Sequence, residues 1–443
     1  MSFLKTSAST VSRCSARVIF ALMLSLTLIS CGGGGGGDGT SSGGGTSSGG
    51  GTSSGGGGSS NNNSSAYTIS GTISGLSTGQ QITIQNNSGD DLVVSANGAF
   101  SFTTPVAYNT AYAVTVLTQP KSFLWCSVTA NASSTSVISD VSNVTVSCVG
   151  SAARASTLVS TASDNPAPTG VAVDAQGNVY VAQWRDDGDP NMAVITSTAW
   201  GTVSKINTSN QETTFVPGLT DPFGLTFDAS GNLYVAETTS LMIKKVTSSG
   251  VVSDFVDMTV VNSNVGFLAG IYFDSQSNQF YITDQAQQIY VLTSAGALSR
   301  TISLANLVSI PDLKGVVVDG NGNIYVCDYR NSVILKVDVS NNVTTFAGSL
   351  QGFADGAATS AQFNMPFGIT KDTGGNLYVA DQGNNKIRKI TAAGVVTTLA
   401  PTLSSGAAAT FNAPTGITTD ANGNLYVAEY YGRKVSKISP ISP

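Results

Sequence analysis

The chain of 443 residues contains no histidine. This absence excludes Ser-His-Asp triads, zinc sites built on imidazole and histidine general bases. Charged residues are also scarce, at 10% of the chain, and acidic residues outnumber basic ones by 26 to 20. Because phosphate binding requires clustered Lys and Arg, this composition argues against a nucleic-acid partner. The abundant Gly, Ser, Thr and Asn instead predict a β-rich protein with many turns.

Residues 1–31 have the pattern of a lipoprotein signal peptide. Three basic residues and no acidic residue precede an apolar run over residues 18–29, which is too short to cross a bilayer core of about 30 Å. The run ends in Leu28-Ile29-Ser30-Cys31, which resembles a bacterial lipobox. The resemblance implies cleavage before Cys31 and acylation of that residue, which anchors the chain to a membrane. By resemblance to Gram-negative lipoproteins, Gly32 favours the outer membrane.

Two further segments precede the repeated part of the chain. Residues 32–65 are almost entirely Gly, Ser, Thr and Asn, so they predict a flexible tether. Residues 66–150 contain seven short segments of alternating apolar and polar residues between turns, which predicts a small β-sandwich domain. Cys126 and Cys148 lie on two of these segments, and an oxidising envelope favours a disulfide between them. The domain is a spacer or a glycan- or protein-contacting module.

One phrase recurs six times between residues 170 and 429. It reads GVAVDAQGNVYVAQ from Gly170, and the later copies begin at Gly224, Gly270, Gly315, Gly368 and Gly416. In each copy an apolar strand leads to an Asp-x-x-Gly-Asn turn, with Ser in place of the Gly in the third copy, and to a second apolar strand, and two further strands follow. Such a period predicts four-stranded units arranged as the blades of a β-propeller over residues 151–443.

The two ends of this region together supply the strands of one blade. The sixth copy has a third strand at 434–438, but only five residues follow it. The segment 156–161 precedes the first inner strand and has no blade of its own. Pairing the two closes the ring without leaving a gap. The predicted fold is therefore all-β: a six-bladed propeller closed by an N-terminal strand and preceded by a small β-sandwich.

The repeat resembles that of the NHL-repeat β-propellers. The similarity rests on the phrase DxxGNxYVAD followed by a basic strand, as in ADQGNNKIRKI at 380–390, and on the connection at 351–369. It covers about residues 152–443. The resemblance implies the fold but no single function, since the family includes scaffolds, RNA binders and lyases.

Five of the six second strands end in a carboxylate. These residues are Glu237, Asp284, Asp328, Asp381 and Glu429. The chemical interpretation is a ring of oxygen ligands for a cation such as Ca²⁺. The structural interpretation is that each acid accepts backbone hydrogen bonds within its own loop, which recurrence in nearly every blade favours. No cofactor is expected, and Ca²⁺ is the alternative. A second set of acids, one per Asp-x-x-Gly-Asn turn, is explained by turn capping.

Residues that break the repeat are the better candidates for a binding site. The first blade carries an insertion from Trp184 to Trp200. Its Asp187, Asp189 and Asn191 have the spacing that opens an EF-hand loop, but the Gly and Glu of that motif are replaced by Met and Thr, so a solvated acidic loop is favoured. The candidate binding rim joins residues from this loop to tyrosines of two other blades: Trp184, Arg185, Asp187, Asp189, Trp200, Tyr329, Tyr430 and Tyr431.

These patterns favour a monomeric envelope lipoprotein whose propeller binds a protein or glycan partner. The alternative is a metal-dependent hydrolase that resembles the gluconolactonase-type propellers, whose metal site of Glu, Asn and Asp needs no histidine. A third interpretation is structural support in the envelope. Cys327, which replaces a small residue of a second strand, is expected to be a buried and inert substitute for Ala.

Overall fold

The computed structural model describes residues 65–120, 124–150, 153–160, 167–184, 201–304 and 311–440. The predicted signal peptide, its Cys31 and nearly all of the tether lie outside the described residues. In the described ranges no helix is long and apolar enough to cross a membrane.

Ten strands build the N-terminal β-domain. They are β1 (Ala66–Tyr67), β2 (Ile69–Ser74), β3 (Ile82–Asn86), β4 (Asp90–Val94), β5 (Gly98–Ser101), β6 (Val106–Ala107), β7 (Tyr112–Thr118), β8 (Leu124–Ala130), β9 (Ser133–Ser134) and β10 (Val141–Gly150). Two four-stranded sheets have the orders β5-β2-β10-β8 and β4-β3-β7-β9, and β1 pairs with β6. Because side chains alternate between the faces of a strand, one face of each sheet contributes to a shared core that includes Ile69, Ile84 and Val146.

The first three propeller blades follow the closing strand β11 (Ala153–Ser160). Blade 1 contains β12 (Ala167–Val173), β13 (Val179–Trp184), β14 (Gly201–Ile206) and β15 (Glu212–Leu219). Blade 2 contains β16 (Pro222–Phe227), β17 (Leu233–Glu237), β18 (Met242–Val246) and β19 (Val252–Asp257), and the short helix α1 (Met258–Val261) comes after it. Blade 3 contains β20 (Leu268–Asp274), β21 (Gln279–Asp284), β22 (Gln288–Thr293) and β23 (Leu298–Ser303).

The other blades repeat this order. Blade 4 contains β24 (Leu313–Val318), β25 (Ile324–Asp328), β26 (Val333–Val337) and β27 (Val343–Ala347). Blade 5 contains β28 (Pro366–Lys371), β29 (Leu377–Asp381), β30 (Lys386–Ile390) and β31 (Val396–Thr398), with a 3₁₀ turn at Gln382–Asn384. Blade 6 contains β32 (Pro414–Thr419), β33 (Leu425–Glu429) and β34 (Lys434–Pro440).

The described propeller strands form six four-stranded sheets that close into a ring. Each innermost strand packs against the innermost strands of its two neighbours, and β32 of blade 6 packs against β12 of blade 1. The closing strand β11 pairs antiparallel with β34 and supplies the fourth strand of blade 6. The predicted fold, a propeller closed by an N-terminal strand, is confirmed.

Each hydrophobic core of the propeller lies mainly between two neighbouring blades. Between blades 1 and 2, for example, Tyr180 and Val203 share a buried cluster with Leu225 and Val235. Both faces of a blade are covered in this way, which explains why its second strand is apolar at nearly every position. The burial of successive residues in β17, β25, β29 and β33 shows the same arrangement.

The glycine in each inner strand permits close approach of neighbouring blades. A Cβ on Gly416 would lie 2.8 Å from the carbonyl oxygen of Thr169 and 2.9 Å from the Cα of Gly170. A Cβ on Gly224 would lie 2.7 Å from the carbonyl oxygen of Ala269. These distances are too short for any side chain, so the repeated Gly sets the spacing of the innermost strands.

A fully buried arginine fixes the connection between blades 4 and 5. Arg388 of β30 forms an ion pair with buried Asp381, at 2.8 Å, and with Asp355 of the connection, at 2.7 Å. Its guanidinium also donates to the carbonyl oxygens of Ala354 and Gln362. The long connection is thereby held against blade 5 by charge-assisted hydrogen bonds.

Candidate functional site

The propeller has two rims, which differ in the loops that form them. The upper rim consists of the turns between second and third strands together with the connections between blades. The lower rim consists of the turns between first and second and between third and fourth strands.

The five strand-end acids of the upper rim are buried and bind the connection that enters their own blade. Each accepts a backbone N–H from that connection: Glu237 from Thr220 at 2.8 Å, Asp284 from Gly266 at 3.0 Å, Asp328 from Asp312 at 3.3 Å, Asp381 from Asn364 at 2.8 Å and Glu429 from Asn412 at 2.8 Å. Since all five are buried, the acids serve as internal anchors of the blade entrances.

The remaining oxygens of these acids also have partners. Ser240 donates to Glu237, Asn331 donates to Asp328, and Ser436 donates to Glu429. Burial raises the pKa of Asp328 and that of Glu429. In the described part of the chain no group of three or more Cys, Asp or Glu side chains is placed to hold a metal ion. The structure therefore does not bring the candidate metal ligands together.

The Asp residues of the lower rim cap their own turns. In blade 5, Asp372 accepts the N–H groups of Gly374 and Asn376 through one oxygen, and the Asn376 amide and the Tyr378 hydroxyl through the other. The same pattern occurs in blades 1, 2, 4 and 6. These carboxylates accept turn N–H groups, as the turn pattern predicts.

A lysine stacked on this Tyr is a repeated feature that was not predicted from the sequence. In blade 5 the Lys389 ammonium lies 5.9 Å from the centre of the Tyr378 ring, and Lys437 lies 5.4 Å from Tyr426 in blade 6. Blades 1, 2 and 4 have the same pair. The basic residue that precedes Ile or Val in five of the six third strands was the available signal, because antiparallel register places it opposite the Tyr.

The upper rim carries two clusters of three aromatic side chains each, which we together call the aromatic arc. Its members are Trp184, Tyr430 and Tyr431 in one cluster, and Tyr329, Phe367 and Phe223 in the other. Ring centres are 6.4 Å apart between Trp184 and Tyr430, and 5.1 Å apart between Tyr430 and Tyr431. Burial raises the pKa of Tyr329, and Asp312 and the neighbouring Tyr431 add to the effect. The structure thus brings three of the predicted rim residues, Trp184, Tyr430 and Tyr431, into ring contact, and Tyr329 belongs to the second cluster.

Two members of the arc, Phe223 and Phe367, were not predicted. They stand immediately before the inner-strand Gly of blades 2 and 5, and their ring centres are 5.3 Å apart across the channel. The channel beneath has a volume of about 250 Å³ and is lined by all six inner strands, including Thr169, Tyr272 and Thr415. The sequence signal was Pro-Phe-Gly where blades 1 and 6 have Pro-Thr-Gly.

An ion pair lies beside the centre of the arc. The Lys314 ammonium is 2.9 Å from Asp312, 5.3 Å from the Tyr329 ring centre and 5.6 Å from that of Phe367. Burial lowers the pKa of Lys314 even though Asp312 opposes that change. The neighbouring Arg330 is exposed. The arc therefore offers ring faces, tyrosine hydroxyls and a cation, which suits recognition of a surface better than bond cleavage.

The other predicted residues take no part in the described arc. Arg185, Asp187, Asp189 and Trp200 lie outside the described residues. Cys126 and Cys148 face each other on β8 and β10 and form a disulfide. Cys327 is fully buried, and burial raises the pKa of its thiol, which disfavours the reactive thiolate.

Comparison with known proteins gives likenesses of fold. No family model matches the chain. A curated relative, protein SUPPRESSOR OF QUENCHING 1, chloroplastic, of Arabidopsis thaliana, is 41% identical over 78 residues, and the match spans 17% of this chain and 7% of that protein. A match over so small a part of that protein supports no conclusion about the activity of this chain.

Solved structures from Bacteroides resemble most of the chain. A protein of unknown function from Bacteroides thetaiotaomicron has a TM-score of 0.53 and 18% identity, and the match covers 81% of this chain and 90% of that one. An auxiliary nutrient binding protein from Bacteroides ovatus has a TM-score of 0.52 and 15% identity, with 82% and 91% covered. The covered part of this chain, 81% and 82%, is larger than the propeller alone. The likeness therefore extends into the N-terminal β-domain. At such identities the likeness shows the fold: an all-β protein with a propeller.

Proposed function

We propose that this chain is a lipid-anchored envelope protein, similar to bacterial NHL-repeat lipoproteins, whose propeller binds a protein or glycan partner through the aromatic arc. The observation that carries the proposal is the arc itself, in which Trp184 and Tyr431 are exposed while the Tyr430 ring between them packs against both. Pre-packed rings lose little conformational freedom on binding, so they contribute efficiently to affinity.

The membrane anchor belongs to the same proposal. It is supported by the lipobox at Cys31, the apolar run before it and the tether after it, which together suit attachment of a monomeric propeller to the outer membrane. A Cys31→Ser variant is expected to lose incorporation of radiolabelled palmitate and to move from the membrane fraction to the soluble fraction. Labelling that persists in this variant would contradict the anchor.

A metal-dependent hydrolase is the less favoured function. The acids that would supply its ligands accept hydrogen bonds from backbone and side-chain donors of their own blades. Thermal denaturation with and without Ca²⁺ or Zn²⁺ distinguishes the two functions. The binding function predicts no metal-dependent shift of the melting temperature, whereas a shift that disappears in Glu237→Gln would support the hydrolase.

Capture from an envelope extract tests the binding function. The full chain and a Trp184→Ala, Tyr431→Ala double variant are immobilised, and the bound material is measured for both protein and carbohydrate. A Val339→Asp variant, changed at an exposed turn of the lower rim, is the matched control. We expect the control to retain a component that the double variant loses. Equal capture by all three would contradict a role for the arc.

A further inference from the structure

The N-terminal β-domain contacts the propeller at the first turn of blade 5, between β28 and β29. The side-chain amide of Gln80 donates a hydrogen bond to the Thr373 hydroxyl oxygen at 3.3 Å. Gln80 lies in the loop between β2 and β3 of the β-domain, yet it is only 4% exposed. A buried amide requires hydrogen-bond partners, and the turn of blade 5 supplies one. The propeller therefore completes the environment of a buried polar side chain of the β-domain.

The β-domain presents Gln80 on a tight turn that lies directly against blade 5. The Gln80 N–H donates to the Ser77 carbonyl oxygen at 3.1 Å, and Gly79 between them has a φ of 77°. This positive φ favours glycine and is typical of the third position of a type II turn. A Cβ on Gly79 would lie 3.2 Å from the Thr373 carbonyl oxygen. The backbones of the two turns are therefore in close contact.

The turn of blade 5 differs from its counterparts at the two positions that meet Gln80. After the capping Asp, blade 5 has the hydroxyl of Thr373, whereas the other Asp-x-x-Gly-Asn turns have Ala175, Ala229, Gly320 and Ala421. The next residue is Gly374, whereas the others carry a side chain there: Gln176, Ser230, Asn321 and Asn422. A Cβ on Gly374 would lie 2.7 Å from the amide nitrogen of Gln80. Blade 5 thus provides a hydrogen-bonding group and close access to its backbone where the β-domain approaches.

Burial of the blade 5 turn shows the same difference. Asp372 and Asn376 are 6% and 5% exposed, whereas the corresponding Asp and Asn of blades 1, 2, 4 and 6 are half-buried. The hydrogen bonds within the turn have the same pattern in these five blades. The turn itself therefore does not explain its greater burial, and cover by the β-domain does.

A second attachment lies on the same rim. The last strand of the β-domain ends at Gly150, and the closing strand β11 begins at Ala153, so only two residues separate them. Ala153 pairs with Pro440, the last residue of β34, which places the start of β11 at the lower rim of blade 6. The chain connection and the Gln80 contact thus join the β-domain to two neighbouring blades. Two separated attachments restrict domain rotation more than one connection alone.

We infer that the turn Ser77–Gln80 is a docking element that binds the first turn of blade 5 and holds the β-domain in one orientation on the lower rim. The β-domain is then a fixed base of the propeller, in contrast to a free spacer. This inference goes beyond the proposed function and holds whichever partner the upper rim binds, because the docked turn lies at the other end of the blades.

Cysteine cross-linking of the full chain in detergent tests the docked position. Thr78→Cys, at an exposed residue of the docking element, is combined with Thr373→Cys in blade 5 or with Ala229→Cys at the same turn position of blade 2. A short bis-maleimide is expected to join positions 78 and 373 within one chain and to leave 78 and 229 unjoined, as read by mass spectrometry of proteolytic fragments. Joining of 78 to 229, or failure to join 78 to 373, would overturn the inference.

A turn exchange between blades tests the contact itself. Gly374→Asn gives blade 5 the residue that blade 6 has in the same turn, so the blade keeps a suitable turn while a side chain is placed against Gln80. The amides of residues 77–80 should then exchange hydrogen about tenfold faster, which corresponds to about 1.4 kcal/mol of docking free energy. Ser230→Asn in blade 2 is the matched control. Exchange that Gly374→Asn leaves unchanged, or that rises equally in the control, would overturn the inference.

A milder variant keeps the test decisive if Gly374→Asn does not fold. Thr373→Ala removes the acceptor hydroxyl alone and gives blade 5 the residue of blades 1, 2 and 6. It should accelerate exchange of the same amides to a smaller extent, with an unchanged melting temperature. Exchange of residues 77–80 that equals that of the natural chain would contradict the hydrogen bond from Gln80 as part of the docking contact.

Discussion

Phe223 and Phe367 belong to blades 2 and 5, on opposite sides of the channel, and their ring centres are only 5.3 Å apart. The aromatic arc therefore crosses the mouth of the channel and does not merely follow its edge. This contact joins two blades that share no strand pairing, and it places the rings over a channel lined by all six inner strands.

Removing one of these rings is expected to open the channel mouth. In Phe223→Ala the amides of inner strands β16 and β28 should exchange hydrogen faster, and stability should fall by about 0.5–1.5 kcal/mol through the lost ring contact. Hydrogen exchange read by mass spectrometry and urea denaturation measure the two effects. Phe267→Ala, at an exposed ring of the same rim, is the control and should change neither. Exchange in Phe223→Ala that equals the control would contradict a closed mouth.

The inner-strand glycines are expected to tolerate no side chain. Gly416→Ala places a Cβ 2.8 Å from the carbonyl oxygen of Thr169, at the junction where the ring closes. We expect a loss of at least about 2 kcal/mol, similar to overpacking in a core. Gly320→Ala is the matched control, because its Cβ meets nothing within 4 Å. Thermal denaturation compares the two, and equal melting temperatures would show that the blades are not held at this spacing.

The buried Arg388–Asp381 pair is expected to dominate the stability of blade 5. Asp381→Ala leaves the fully buried guanidinium without its buried partner, which should cost about 3–5 kcal/mol. Asp355→Ala removes the half-exposed partner of the same Arg388 and should cost clearly less. Urea denaturation ranks the two variants. Equal losses would mean that burial of the pair does not determine its contribution.

Stability should hold or rise as the pH falls from 7 to 5. Burial raises the folded-state pKa of Asp328 and Glu429, so the folded chain takes up these protons before the unfolded chain does. Burial by itself would raise the pKa of Asp319, but hydrogen bonds donated by Asn323 bring that pKa below its ordinary value. The stability that ionised Asp319 contributes is therefore lost only when the pH falls below about 3.9, the pKa of Asp in the unfolded chain.

The pH dependence is measured by urea denaturation at a series of pH values. The midpoint should not decrease between pH 7 and 5 and should decrease below about pH 4. Glu429→Gln carries no titratable proton at this position and should show a smaller rise between pH 7 and 5. A midpoint that declines steadily from pH 7, or a rise that Glu429→Gln leaves unchanged, would contradict the assigned shifts.

Much of the fold was predictable because five of the six blades repeat the same local chemistry. Asp-x-x-Gly-Asn fixes a turn wherever it occurs, and the unpaired segments at the two ends predicted the closing strand, which pairs through residues such as Ala155 and Ile438. The sequence predicted that the strand-end acids accept backbone hydrogen bonds within their own loops, but not that they also accept N–H groups of the connection that enters their blade.

The aromatic arc was predictable only in part, since contacts across a ring depend on its size and curvature. Tyr430 and Tyr431 interrupt the repeat and are visible in the sequence. The meeting of Phe223 with Phe367 joins residues 144 positions apart, and no local pattern specifies it. The ion pairs of Arg388 likewise depend on the path of a long connection, which periodicity does not encode.

Site-specific photo-cross-linking in cells that make the protein tests the central claim most directly. A photoreactive phenylalanine analogue replaces Tyr431 on the upper rim or Val339 on the lower rim, both of which are more than half exposed. We expect a discrete covalent adduct from position 431, its loss when Trp184→Ala is added, and no such adduct from position 339. A discrete adduct from position 339 alone, or equal adducts from both positions, would contradict the claim that the upper rim is the binding surface.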